Sequence, residues 1–256
     1  MTAKNIRFGH ISIGDSKKSF EAIYSNKITK RELESIGCRI AGLLASRNAK
    51  LGSFSAISIT FVDSSPQRIE KIIDTTKSQK TIYYALPASL ALESSDVEKL
   101  FIEAIFSALR SLMAEDGDLN KIDTCEERAL LHRNQLRFQY RIEETRRYLV
   151  KILLSILEPY PEFRQVYLQV TDKETSKKAT RLIMELHHME LDHLVAKTRI
   201  AKGKIIISPR KAFLTDDFTQ RYKARGFEYP LEIDIEELLA SAANLEEQSQ
   251  APAGAG

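Results

Sequence analysis

Two helix-start sequences bracket a stretch of alternating side chains, and that combination restricts the chain to a fold mixing helix with sheet. Thr29-Lys30-Arg31-Glu32 is a capping box, in which the Thr hydroxyl accepts from the backbone three residues on while Glu32 reaches back. Behind it Leu33, Ile36, Ile40, Leu43 and Leu44 recur at helical spacing. Ser95-x-x-Glu98 opens a second helix, with Val97, Leu100, Phe101, Ala104, Ile105, Ala108, Leu109 and Leu112 on one stripe and Gly117 placed to end it. Between the two, residues 53–61 alternate small polar and apolar side chains, the pattern of a half-buried strand. Residues 6–13, with Phe8, Ile11 and Ile13 as apolar contacts, and residues 81–86, closed by Pro87, read as further strands.

Residues 114–124 are polar and turn-rich, and read as a joint. The expected class is therefore α+β, with a small strand-containing N-terminal lobe over 1–118 and a mainly helical C-terminal lobe with short strands over 124–241. That second lobe is read as a long helix over 125–157 ended by Pro159, an ambiguous segment at 163–171 and a helix over 175–198. A strand at 204–208, a polar helix over 211–224 ended at Gly226, and a last strand and helix over 228–241 complete it. Residues 244–256 have nothing to bury and are expected to be a disordered tail.

Composition supplies the remaining bounds. Apolar residues make up 43% of the 256 and charged residues 29%, enough for packed cores. A net charge of +3, from 38 basic and 35 acidic side chains, is too small to argue for nucleic acid without local clustering. The first residues carry no apolar signal region, and no apolar run approaches the roughly 20 residues that span a bilayer. Cys38 and Cys125 stand far apart, with no CxxC. The reading expects a cytoplasmic protein without membrane contact, cofactor or assigned catalytic residue, and leaves its oligomeric state open.

The first candidate site is a basic stripe. On a helix over 125–157, Arg133, Arg137, Arg141, Arg147 and Lys151 fall on one side with Tyr140 among them. Leu131, Phe138, Ile142, Leu149, Leu153 and Ile156 lie opposite. Such a stripe is either a solvated face laced by Glu143 and Glu144, or a surface for a partner protein's carboxylates or for nucleic-acid phosphates. The second candidate is the run 185–193. As a helix it places Glu185, His188 and Asp192 on one side and His187, Glu190 and His193 on another. Either trio has metal-ligand chemistry, although neither matches HExxH, and the alternative is a structural polar row. Gly9–Gly14 lacks the spacing of a phosphate loop, and Cys38 and Cys125 read as core or incidental thiols. Tyr83 and Tyr84 are adjacent on a strand, so one must face away from the other, and an uncovered one would suit a partner.

The phrases Ile36-Gly37-Cys38-Arg39-Ile40-Ala41 and Phe54-Ser55-Ala56-Ile57-Ser58-Ile59 carry a resemblance in the first lobe. It resembles immunity proteins of bacterial polymorphic-toxin and contact-dependent inhibition systems. The resemblance implies a compact cytoplasmic protein that neutralises a toxin domain by binding it, and carries over no functional residue. The expectation is a non-catalytic protein acting through a specific protein partner. A nucleic-acid-binding module on the Arg133–Lys151 stripe and a metal-dependent enzyme on 185–193 are the alternatives.

Overall fold

A computed structural model describes residues 10–14, 28–49, 56–76, 79–93, 96–112, 119–158 and 160–241. The expected strand residues 6–9, Ser53–Ser55, Ser95, Gly117 and the rest of 113–118, Pro159 and the 244–256 tail lie outside them. The chain has both helices and strands, as the α+β expectation requires. It divides into two compact units, residues 2–138 with 155–161, and residues 139–154 with 162–256 and Met1.

In the first unit, β1 (His10–Gly14), β2 (Ala56–Val62), β3 (Arg68–Thr76) and β4 (Gln79–Ala85) form a sheet of order β1-β2-β4-β3. β1, β2 and β4 run parallel, and β3 returns antiparallel beside β4. Ile57, Ile59 and Phe61 alternate into the core beside Ile82 and Tyr84. Tyr84 is thus the inward member of its pair and Tyr83 the half-buried one. Phe61 meets the ring of Phe101 edge-on at 5.0 Å, tying the sheet to α3; such a pair contributes about 1 kcal/mol beyond its buried area.

Helix α1 (Lys30–Ser46) begins at the expected capping box, with both reciprocal bonds between Thr29 and Glu32 formed. α2 (Ala88–Glu93) is a short helix after β4. α3 (Val97–Leu112) starts where the pattern placed it, and its described cap is Asp96. That carboxylate accepts from the Lys99 backbone N–H at 3.1 Å. α4 (Leu119–His132) packs against α1 and α3.

The expected helix over 125–157 is corrected: it ends at His132. After the 3-10 turn Arg133–Gln135 come β5 (Phe138–Glu144) and β6 (Tyr148–Leu157). Buried Phe138 and Tyr140, then Tyr148, Val150, Ile152, Leu154 and Ile156, follow a period of two, which a pleated strand satisfies and a helix does not. The helix expected over 175–198 is replaced by β8 (Lys178–His187) and the short α5 (His188–Leu194). With β7 (Tyr160–Asp172) these strands form a sheet of order β5-β6-β7-β8, so the stretch expected to be mainly helical is mainly strand.

β9 (Lys197–Ala201), β10 (Lys204–Ser208) and β11 (Leu231–Asp234) make an antiparallel sheet of order β11-β10-β9. The turn between β9 and β10 has positive φ at Lys202 and Gly203, as two-residue hairpins require. α6 (Phe213–Ala224) ends as expected at Gly226, whose φ is +87°. The N–H of Gly226 donates to the Lys223 carbonyl and that of Phe227 to the Tyr222 carbonyl, a Schellman closure sealed by contact of the Tyr222 and Phe227 rings.

One position tests the first unit's packing. Gly42 of α1 faces the buried ring of Phe138, and a Cβ there would overlap that ring. Gly42→Ala gains about 1 kcal/mol of helix propensity but overpacks the contact by roughly 1–3 kcal/mol. Urea denaturation is therefore expected to show net destabilisation, relieved when Phe138→Leu is added. Equal or greater stability of the single variant would contradict this packing.

Candidate partner-docking surface

The basic side chains predicted to share one face are distributed over a turn and two strands. Arg133 and Arg137 belong to the first unit, and Tyr140, Arg141, Arg147 and Lys151 to the second. Arg133 sits in the 3-10 turn and pairs with Asp96 at 2.5 Å. Arg137 is exposed just before β5. Tyr140 is buried on β5 and donates its hydroxyl to Asp192 at 2.5 Å. Burial, with that carboxylate beside it, pushes the Tyr140 hydroxyl pKa well above its ordinary value. Arg141 donates to the Val195 carbonyl at 2.8 Å and lies 4.9 Å from the Tyr140 ring centre. Arg147, in the turn before β6, pairs with Asp172 at 3.1 Å and Glu174 at 3.5 Å. Lys151 is half-buried on β6. The helical stripe does not form, and several of its cations have intramolecular carboxylate or carbonyl partners.

The two trios of the 185–193 run are likewise taken apart, because the chain changes from strand to helix at His187. Glu185 remains on β8 and accepts from Gln165 at 2.9 Å. His188 opens α5 with its Nδ1 3.2 Å from the Glu162 carbonyl oxygen, and Asp192 faces Tyr140. In the second trio His187 caps α5, its ring accepting from the Met189 N–H. Glu190 accepts from the His187 N–H at 3.1 Å and from the Tyr222 hydroxyl at 2.9 Å. His193 lies 2.8 Å from the Thr215 hydroxyl. Among the described residues no group of three His, Cys, Asp or Glu side chains is placed to hold a metal ion. Cys38 and Cys125 are not joined in a disulfide, and burial pushes the Cys125 thiol up, against the opposing influence of Arg47 and Arg128.

What the strand-to-helix switch does create is a small aromatic cluster at the end of β8. Phe163 on β7 stands opposite His187 and meets its ring edge-on at 5.6 Å. The His187 and His188 rings lie 4.5 Å apart. Burial holds the His188 pKa below its usual value, with His187 and Arg164 adding to the effect and the Glu162 carbonyl opposing it. The imidazole is accordingly neutral at pH 7. Phe163 remains 37% exposed and the adjoining Met189 65%. A Phe, two imidazole rings and a flexible thioether are the side-chain types of an adaptable contact surface. Sequence reasoning missed Phe163 because its approach to His187 depends on β7–β8 register. The signal was the dense 185–193 run itself, read there as ligand chemistry.

No family model, curated protein or solved structure matches this chain. No described helix is long and apolar enough to cross a membrane.

The turn that starts β8 yields a pH prediction. Burial opposes charge on Asp172, but the Glu174 N–H and the Arg147 guanidinium outweigh it and hold the carboxyl below its ordinary range. A depressed native pKa stabilises the fold above the unfolded value of about 4, and this contribution is lost as pH falls through the native value. Asp172→Asn is thus expected to be less stable at pH 7, with the gap to the parent narrowing below about pH 4. Urea midpoints across that range measure it. A gap independent of pH would show that Asp172 is not held this way.

Proposed function

We propose that the chain is a non-catalytic cytoplasmic protein that works by binding one protein partner, in the manner of an immunity protein neutralising a toxin domain. The observation carrying this reading is the ring cluster of Phe163, His187 and His188, with Phe163 partly exposed and the next residue in the chain, Met189, more so. An exposed aromatic and thioether group rimmed by polar side chains is the composition of a protein-binding hot spot. Carboxylate pairing of Arg133 and Arg147 within the chain offsets part of the positive charge a phosphate backbone would meet there, which favours protein over nucleic acid as partner. Two cysteines not joined in a disulfide fit a reducing compartment. The first-lobe phrases quoted above supply the toxin-inhibitor class of partner.

The test is co-expression with the products of adjacent genes, isolation of any complex by size exclusion, and titration calorimetry. A stable one-to-one complex is expected. Met189→Ala should weaken it at least fivefold, about 1 kcal/mol, while Ile72→Ala, at an exposed apolar position on β3 of the other unit, should not. Failure to find any complex, or equal weakening by both substitutions, overturns the reading.

A further inference from the structure

β8 ends the sheet: β7 pairs with one side of it, and among the described residues no strand pairs with the other. The two ends of that outer edge differ. Toward the helix, side chains occupy the backbone, with the Tyr222 hydroxyl reaching the Glu185 carbonyl and Glu190 accepting from the His187 N–H. Toward the start, Lys178, Thr180, Arg181 and Leu182 are all exposed. A register slip between Val166/Met184 and Tyr167/Leu182 separates these two halves and leaves Ile183 as an extra residue.

Residues opposite each other on neighbouring strands share a face. Lys178, Thr180 and Leu182 stand opposite Thr171, Gln169 and Tyr167 and so share the outer face. Arg181 stands opposite buried Leu168, on the core face, and escapes into solvent at the edge. Lys177, Lys178 and Arg181 make no ion pair among the described residues. The open half of the edge therefore presents backbone polar groups that no strand among the described residues pairs, positive charge on both faces, and one apolar side chain that is 44% exposed.

We propose that the Lys178–Leu182 edge of β8 docks an acidic, extended segment of the partner protein as an added strand. This deepens the protein-binding reading and rests on it. Main-chain hydrogen bonds would supply affinity, and the two cations would select the sequence. The same charges disfavour a second copy of this chain, because pairing two like edges would gather four cations onto one short ladder. An antiparallel segment runs past Leu182, Arg181, Thr180, Ala179 and Lys178 in that order. The complementary sequence is apolar, acidic, β-branched, apolar, acidic, with the carboxylates three residues apart and on opposite faces. The edge leads along β8 to the Phe163–His187–His188 cluster, so one partner can span both.

The experiment uses the full chain and a fluorescein-labelled peptide with the core Val-Glu-Thr-Val-Glu, followed by anisotropy at about 0.15 M salt. Three controls accompany it: the same peptide with Lys for Glu, the acidic peptide N-methylated at alternate residues, and single-stranded polythymidylate of matched charge. The acidic peptide is expected to bind, and the two altered peptides to bind at least tenfold more weakly. Lys178→Glu combined with Arg181→Glu, at exposed positions, is expected to lose binding tenfold with an unchanged thermal midpoint. No binding of the acidic peptide overturns the proposal. So does equal binding of the N-methylated peptide, which marks a charged patch without strand addition, or equal binding of polythymidylate, which marks a phosphate site. Any of these leaves the partner reading in place, since that reading is judged on the isolated complex.

Discussion

One carboxylate, Glu190, determines where β8 stops and what its end presents. It accepts from the His187 N–H and from the Tyr222 hydroxyl, so it simultaneously caps α5, satisfies a strand-end donor and draws α6 onto the junction. Burial pushes the Tyr222 hydroxyl well above its ordinary pKa, which keeps it protonated and donating. Two further bonds hold the same short helix, from Tyr140 to Asp192 and between His193 and Thr215. A helix of seven residues is marginal alone. These side-chain bonds, with Leu191 and Leu194 in the core, are what make it a fixed element. With α5 fixed, the His187 ring has a defined place beside Phe163 and the His188 ring beside His187.

The first unit depends on a comparable device of the opposite sign. Arg39, at the centre of α1 and 2% exposed, lies between Glu98 of α3 and Glu158, which follows β6. Burial draws the guanidinium pKa down while Glu98 opposes it. A buried cation with one partner removed costs about 3–5 kcal/mol, so this ion triad fixes the position of α1 against α3 more than it adds stability over an apolar core. Both devices use charge to specify geometry.

How much of this was legible from sequence follows from which interactions are local. The Thr29–Glu32 box, the α3 stripe and the Gly226 closure involve neighbours within a few residues, and each was readable. The region after His132 was not, because two periods coexist there. Phe138, Ile142, Leu149, Leu153 and Ile156 fit a helical spacing, while Phe138, Tyr140, Tyr148, Val150, Ile152, Leu154 and Ile156 alternate; burial of the second set, with Ile142 43% exposed, decides for strand. The Thr145–Arg147 turn contains neither Gly nor Pro, so nothing announced a hairpin. β3 escaped notice because, as an edge strand with two register irregularities, it lacks clean alternation. The cap of α5 is a histidine ring where Ser, Thr, Asp or Asn is usual, so the strand-to-helix change was invisible. The candidate site was legible only as an unusual density of polar side chains, since its chemistry arises from Phe163, twenty-four residues earlier than His187.

The proposed docking of a partner protein along β8 and the adjoining face of α5, with no chemistry done there, is open to one direct test. Hydrogen exchange of the isolated complex, compared with the free chain, tests it most directly. The account predicts new protection concentrated on the backbone amides of residues 178–182 and around Met189, with the first unit's core amides unchanged. Protection confined to another surface, with residues 178–189 exchanging as in the free chain, would contradict it.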